Sequence, residues 1–105
     1  MRIAISHQKT KQEAIAAVDR AIDDAFRGFA LGPFEFVNAQ KSWQGSLMTF
    51  SVNAKVGFLS NPIRGTVEVT DREIAIDADL GLFKNLIPEE KVRTSLESRV
   101  RGLLT

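Results

Sequence analysis

The chain has 105 residues, of which 44% are hydrophobic and 26% are charged, and its 14 lysines and arginines nearly balance 13 aspartates and glutamates. We therefore expect one domain spanning residues 1–105 with a core of its own, and no nucleic-acid binding, because nucleic-acid-binding proteins usually carry a basic excess. The absence of cysteine excludes disulfides and thiolate chemistry, and no apolar run approaches the roughly 18 residues of a membrane span, which favours a cytoplasmic protein.

The first two predicted elements are a short strand and an amphipathic helix. Residues 2–6 alternate between polar and apolar side chains, which predicts the strand. Thr10 and Glu13 then form a capping-box pattern, in which the threonine oxygen accepts a backbone N–H of the first helical turn. Apolar residues follow at spacings of three and four: Ile15, Val18, Ile22, Ala25, Phe26 and Phe29. The predicted helix has Gly28 and Gly32-Pro33 at its end.

After this helix the hydrophobic period changes to two, which indicates antiparallel strands with one buried face. The predicted strands begin at Phe34 and Phe36, and continue at 43–58, at 63–69 and at 73–80. Polar residues join the last two strands as a hairpin. Trp43 lies at an odd position, whereas the apolar residues that follow it lie at even positions. We therefore expect a β-bulge near Gly45 that turns the tryptophan into the core.

The last predicted element is a helix that begins near Pro88, where two glutamates favour the positive end of the helix dipole. Its buried stripe is expected at Val92, Leu96, Val100 and Leu103. Every strand has one apolar face and each helix one apolar stripe. The order β-α-β-β-β-β-α therefore predicts an α+β fold, a two-layer structure in which two helices cover one face of an antiparallel sheet.

Candidate catalytic and metal-binding residues are few. His7 is the only histidine, and nothing near it in the sequence indicates a nucleophile or an orienting acid, so we interpret it as a polar residue at a strand end. Asp77 and Asp79 share one strand face and could approach a cation, yet they alternate with apolar residues as solvated carboxylates do. The sequence also lacks a glycine-rich phosphate-binding loop. We therefore predict no enzyme activity, no catalytic residue, no metal and no cofactor.

The predicted sheet carries a spaced pattern of glycines and large apolar residues. Trp43-x-Gly45-x-x-Met48-x-Phe50 is followed by Ile63-x-Gly65-x-Val67-x-Val69, and then by Ile74-x-Ile76 and Leu80-Gly81. This pattern resembles the signature of the polyhydroxyalkanoic acid system proteins, a small bacterial family. The structural residues of the motif are Trp43, Gly45, Phe50 and Gly65. The opening strand before His7 and the closing helix are also similar to that family.

The resemblance implies a non-enzymatic protein associated with polyhydroxyalkanoate granules. Its implied partners are the granule surface or the phasin and synthase proteins, and a homodimer is left open. A granule presents an apolar polyester surface, so we expect adhesion or regulation through one exposed apolar patch. The expected patch comprises Leu82, Phe83, Leu86 and Ile87, together with Phe58 and Leu59. Two alternatives are that these loop residues cap the core, and that the chain is a small apolar-ligand-binding module of helix-grip-like topology.

Overall fold

The computed structural model describes residues 1–28 and 35–104, and its elements follow the predicted order β-α-β-β-β-β-α. The strands are β1 (Arg2–Ser6), β2 (Glu35–Gln44), β3 (Leu47–Val56), β4 (Leu59–Val69) and β5 (Glu73–Asp79). The helices are α1 (Lys11–Gly28) and α2 (Glu89–Leu104), with a short 3₁₀ turn at Gly81–Phe83. The 3₁₀ turn separates β5 from α2.

The strands within the described residues form one antiparallel sheet with the order β1-β5-β4-β3-β2. Consecutive strands from β2 to β5 are neighbours, whereas β1 pairs with β5 at the far edge. The part of the chain that contains α1 therefore links the two edge strands. This arrangement confirms the predicted α+β fold with an antiparallel sheet.

The hydrophobic core lies on one face of the sheet, because each central strand buries alternate side chains. In β3, for example, Phe50 and Val52 are buried, and the residue between them is the polar Ser51. Buried residues of both helices, such as Val18 in α1 and Leu96 in α2, belong to the same cluster as these strand residues. The helices and the inner face of the sheet thus share one core.

Helix α1 begins where its capping pattern predicts. The Glu13 backbone N–H donates to Thr10 Oγ1 over 3.1 Å, and the threonine hydroxyl donates to Glu13 Oε1 over 3.0 Å. The first of these bonds satisfies an N–H group that has no partner within the helix. The described helix ends at Gly28. The predicted positions of Phe29, Gly32-Pro33 and Phe34 lie outside the described residues.

The prediction of a β-bulge near Gly45 is wrong. Gly45 has a φ of 61° and lies in the tight turn between β2 and β3, where a residue without a Cβ accepts positive φ at no steric cost. Trp43 therefore belongs to a separate strand, and its odd position requires no slip within β3. The register shift lies further back in β2, between Val37 and Gln40, where Asn38 has a φ of 56°.

Two element boundaries also differ from the sequence-based expectation. Strand β4 begins at Leu59 rather than Ile63, because pairing with β3 resumes directly after the hairpin turn. Leu103 was expected in the buried stripe of α2 but is exposed, while the neighbouring Leu104 packs against the core. The buried stripe of α2 therefore continues from Val100 to Leu104, and not to Leu103 as predicted.

Candidate functional site

The tip of the β3–β4 hairpin presents an aromatic side chain to solvent. Gly57 has a φ of 58° in the two-residue turn, a conformation that glycine adopts without strain. The next residue, Phe58, is fully exposed, and Leu59 is 55% exposed. Turns favour glycine and small polar residues, so the turn geometry does not explain an aromatic residue at this position.

The loop between β5 and α2 divides the predicted apolar patch into two groups. Leu82 and Leu86 are 73% and 58% exposed, whereas Phe83 is 1% and Ile87 is 5% exposed. Leu82 and Phe83 are neighbours in the 3₁₀ turn and point to different sides, and the chain turns again after it, where the Ile87 backbone N–H donates to the Phe83 carbonyl over 3.0 Å. The prediction that Phe83 and Ile87 belong to a surface patch is therefore wrong, since both side chains are part of the core.

The two exposed leucines lie at the same end of the sheet as the β3–β4 hairpin. Strand β5 runs antiparallel to β4, and its last residue, Asp79, pairs with Arg64. Beyond this pair the chain continues beside the start of β4, where Asn61 Nδ2 donates to the Leu80 carbonyl over 3.3 Å. Four of the six large apolar side chains that are exposed among the described residues thus lie at this end. We call Phe58, Leu59, Leu82 and Leu86 the hairpin-end patch.

Behind this end of the sheet, an apolar cavity of about 80 Å³ lies between the helices and the inner face. Its walls include Ile22, Ala25 and Phe26 of α1, Val52 and Ile76 of the sheet, and Leu96 of α2. All described residues that line the cavity are apolar.

His7 holds two parts of the backbone together. Its Nδ1 accepts the Lys9 backbone N–H over 3.2 Å, so Nε2 carries the ring proton and donates to the Thr70 carbonyl over 2.8 Å. The backbone N–H of His7 donates to the Arg72 carbonyl over 2.9 Å. These bonds fasten the end of β1 to the hairpin between β4 and β5.

Asp77 and Asp79 lie on the exposed face of β5. Asp79 Oδ1 accepts the Gly81 backbone N–H over 3.0 Å, at the start of the 3₁₀ turn. Within residues 1–28 and 35–104, no group of three His, Cys, Asp or Glu side chains is arranged to hold a metal ion. Asp79 thus supports the turn that exposes Leu82.

A cluster of charged and aromatic side chains joins α1 to β2. Lys41 Nζ lies 2.8 Å from Asp19 Oδ1 and 2.7 Å from Asp23 Oδ1, and the indole N–H of Trp43 donates to Asp19 Oδ1 over 2.8 Å. The hydrogen bonds from Lys41 and from Trp43 hold the pKa of Asp19 below its ordinary value. Burial lowers the pKa of Lys41, but the hydrogen bonds to the two aspartates outweigh this effect and raise it.

We expect the Lys41 cluster to make stability depend on acid pH. Because the pKa of Asp19 is lowered in the folded state, its stabilising contribution is present above the ordinary value of 3.8 and is lost as the pH falls through the folded-state value. The side chains are partly exposed to solvent, so the loss should be at most about 1 kcal/mol. The loss of stability is measured by urea unfolding at about pH 5 and at about pH 2, with the fluorescence emission of Trp43 as the signal of unfolding.

The control for this prediction is the Asp19→Asn variant, which keeps the shape of the side chain and cannot ionise. Its stability should fall less than that of the native protein between the two pH values. Trp43 is the only tryptophan of the chain, so its emission reports directly on the contact between α1 and β2. An equal fall in both proteins would contradict the stabilising role of the ionised aspartate.

Gly65 leaves space for an aromatic ring from the neighbouring strand. It pairs with Phe50 of β3, and a Cβ atom on Gly65 would collide with that ring and would lie 2.5 Å from the backbone oxygen of Asp77. The ring of Phe50 in turn contacts Phe26 of α1, with 5.8 Å between the ring centroids. Because Gly65 has no side chain, the ring of Phe50 fits against β4 and also contacts Phe26 of α1.

The fold and the places of the motif residues can now be compared with known families. A sequence model of the family described as "Putative polyhydroxyalkanoic acid system protein" matches residues 1–104. The chain belongs to this family. The description of the family names a polyhydroxyalkanoic acid system and no enzyme activity. No curated protein matches the chain.

In this member of the polyhydroxyalkanoic acid system family, four motif residues make contacts or turns within the fold. Gly45 forms a turn, Trp43 binds α1, and Phe50 and Gly65 pack against each other. The hairpin-end patch and most of the cavity wall lie outside this motif. None of the described helices is both long and apolar enough to cross a lipid bilayer.

Proposed function

We propose that this protein is a non-enzymatic component of polyhydroxyalkanoate granules that adheres to the polymer through the hairpin-end patch. The observation that carries the proposal is the full exposure of Phe58 at a hairpin tip, with three exposed leucines at the same end of the sheet. Single apolar residues on a surface are ordinary, but a group of them bordered by polar residues marks a contact site.

The surroundings of the patch support contact with an apolar surface. Lys55 and Ser60 flank the hairpin tip, and Lys84 and Asn85 lie between the two leucines of the loop; all four are exposed. These polar neighbours keep the end of the sheet hydrated before adhesion. A polyester surface is apolar and amorphous, so it rewards the burial of apolar area without demanding a fixed geometry.

The polymer is a better match for the patch than a granule protein such as a phasin or the synthase. A stable interface between two proteins buries roughly 800 Å² on each partner, which is more than four side chains provide. An extended polymer surface has no such requirement, because many copies of the protein can adhere side by side. Regulation of the granule would then follow from how much of its surface these copies cover.

The proposal is tested by the position of a fluorescent fusion in bacteria grown with and without polymer accumulation. We expect rings of fluorescence around the granules, and diffuse fluorescence in cells that make no polymer. Granules that lack phasins should still carry rings, because the contact is with the polyester itself. Diffuse fluorescence in polymer-rich cells would overturn granule adhesion, and rings that require a phasin would assign the contact to that protein.

A further inference from the structure

The cavity of about 80 Å³ is built from the second half of α1, the first half of α2 and the inner face of the sheet. No residue of the hairpin-end patch is among the described residues that line it. A buried water needs about two to four polar partners, and the described lining side chains provide none. The occupant that this space stabilises is therefore a hydrocarbon group.

The size of the cavity restricts the shape of that group. Its volume of about 80 Å³ is roughly half that of the ~150 Å³ apolar cavity that is known to accept benzene. By this comparison a six-membered ring is too large for it, whereas the last two or three carbons of an unbranched chain are not. Overfilling a packed core costs about 1 to 3 kcal/mol in protein variants, so wider groups should bind more weakly.

The lining residues nearest to solvent show where a chain can enter. Ala25, Phe26 and Phe36 are half-buried, whereas deeper lining residues such as Ile22 and Val52 are buried. The ring of Phe26 contacts the half-buried Phe36, with 6.3 Å between the centroids, and the buried Phe50, with 5.8 Å. The half-buried ring of Phe26 therefore marks the solvent side of the cavity.

We propose that the cavity binds the end of a short unbranched alkyl chain, which enters beside Phe26 and leaves its polar end outside. The chain can belong to a free acyl ester or to a side group of a polyester, since both present the same alkyl chemistry. This inference does not rest on granule adhesion. It assigns to the fold a small-ligand site that is separate from the hairpin-end patch.

Titration with methyl esters of an unbranched and a cyclic acid tests the site, with the methyl resonances of Ile22, Val52 and Leu96 as reporters in NMR spectra. Methyl butyrate should shift these resonances in a saturable manner. Methyl cyclohexanecarboxylate should bind about tenfold more weakly, because its six-membered ring overfills the cavity. Unshifted resonances with methyl butyrate, or equal affinity for both esters, would overturn the proposal.

Two variants change the cavity in opposite directions. Ala25→Leu fills it and should weaken methyl butyrate binding at least about tenfold, whereas Ala16→Leu, the same change at an exposed position of α1, should leave binding unchanged. Phe26→Ala enlarges the cavity and should shift the preference toward the cyclic ester. This second variant carries the test if Ala25→Leu does not fold, and an unchanged preference in it would contradict the proposal.

Adhesion of the same variants to polyester particles distinguishes the two sources of the chain. If Ala25→Leu loses the ester but still adheres to particles, the natural ligand is a free acyl compound. If it loses both while the hairpin-end patch is intact, the ligand is a side group of the polymer. A native protein that binds methyl butyrate but does not adhere to particles would overturn granule adhesion and leave the cavity site standing.

Discussion

The double variant Phe58→Ser/Leu82→Ser is expected to adhere to polyester particles about a hundredfold more weakly than the native protein. Burying one large apolar side chain contributes about 1.5 to 3 kcal/mol, and about 1.4 kcal/mol corresponds to a factor of ten in affinity. Phe58 is fully exposed and Leu82 is 73% exposed, so their replacement removes few contacts within the fold. The stability of the variant should therefore change by less than about 0.5 kcal/mol.

Co-sedimentation with protein-free polyester particles measures this loss. Leu47→Ser and Leu103→Ser provide matched controls, because both leucines are exposed but lie outside the hairpin-end patch. Adhesion that survives the double variant and falls in a control would place the contact elsewhere on the surface. Phe83→Ser is unsuitable as a test, since Phe83 is buried in the core and its loss would destabilise the protein itself.

The Gly65→Ala variant is expected to lower the free energy of unfolding by about 3 kcal/mol. The new Cβ atom would collide with the ring of Phe50 and with the backbone oxygen of Asp77. The ring can move only at the cost of its contact with Phe26, and the backbone oxygen belongs to the neighbouring strand β5. Neither neighbour can move away without losing contacts of its own, so the melting temperature should fall by more than about 10 °C.

Gly102→Ala is the matched control, because the same substitution in α2 meets no atom within 4 Å. Alanine is the better helix former, so this variant should gain up to about 1 kcal/mol of stability. Thermal unfolding followed by circular dichroism compares the two variants directly. A Gly65→Ala protein as stable as the native one would contradict the close packing of Phe50 on β4.

Most of the fold could be predicted because its elements have simple periods. The alternation in β3 and β5 identified the buried face, and the capping pattern at Thr10 located the start of α1. The error at Gly45 arose because one bulged strand and two strands joined by a tight turn produce the same shift between odd and even positions. Only the backbone conformation of the glycine distinguishes these two alternatives.

The site was less predictable for a related reason. The loop from Leu82 to Ile87 is almost entirely apolar, so its sequence has no polar alternation to show which side chains face the core. The 3₁₀ turn that decides this is stabilised by Asp79 and by packing around Phe83, and neither contact has a signal in the local pattern. The cavity depends on tertiary packing between distant elements. Lys41 and Trp43 both contact α1, and the only feature of the sequence that indicated this was that both stand at odd positions.

The edge strand β2 has a consequence for contacts between crowded copies of the protein. Among the described residues it pairs with β3 alone, and a ten-residue edge is a template for strand addition by another copy. The register shift after Val37 and the side chain of Lys41, which reaches inward to two aspartates of α1, both oppose such pairing. Both features therefore hinder the joining of two copies of the protein through the edge of β2.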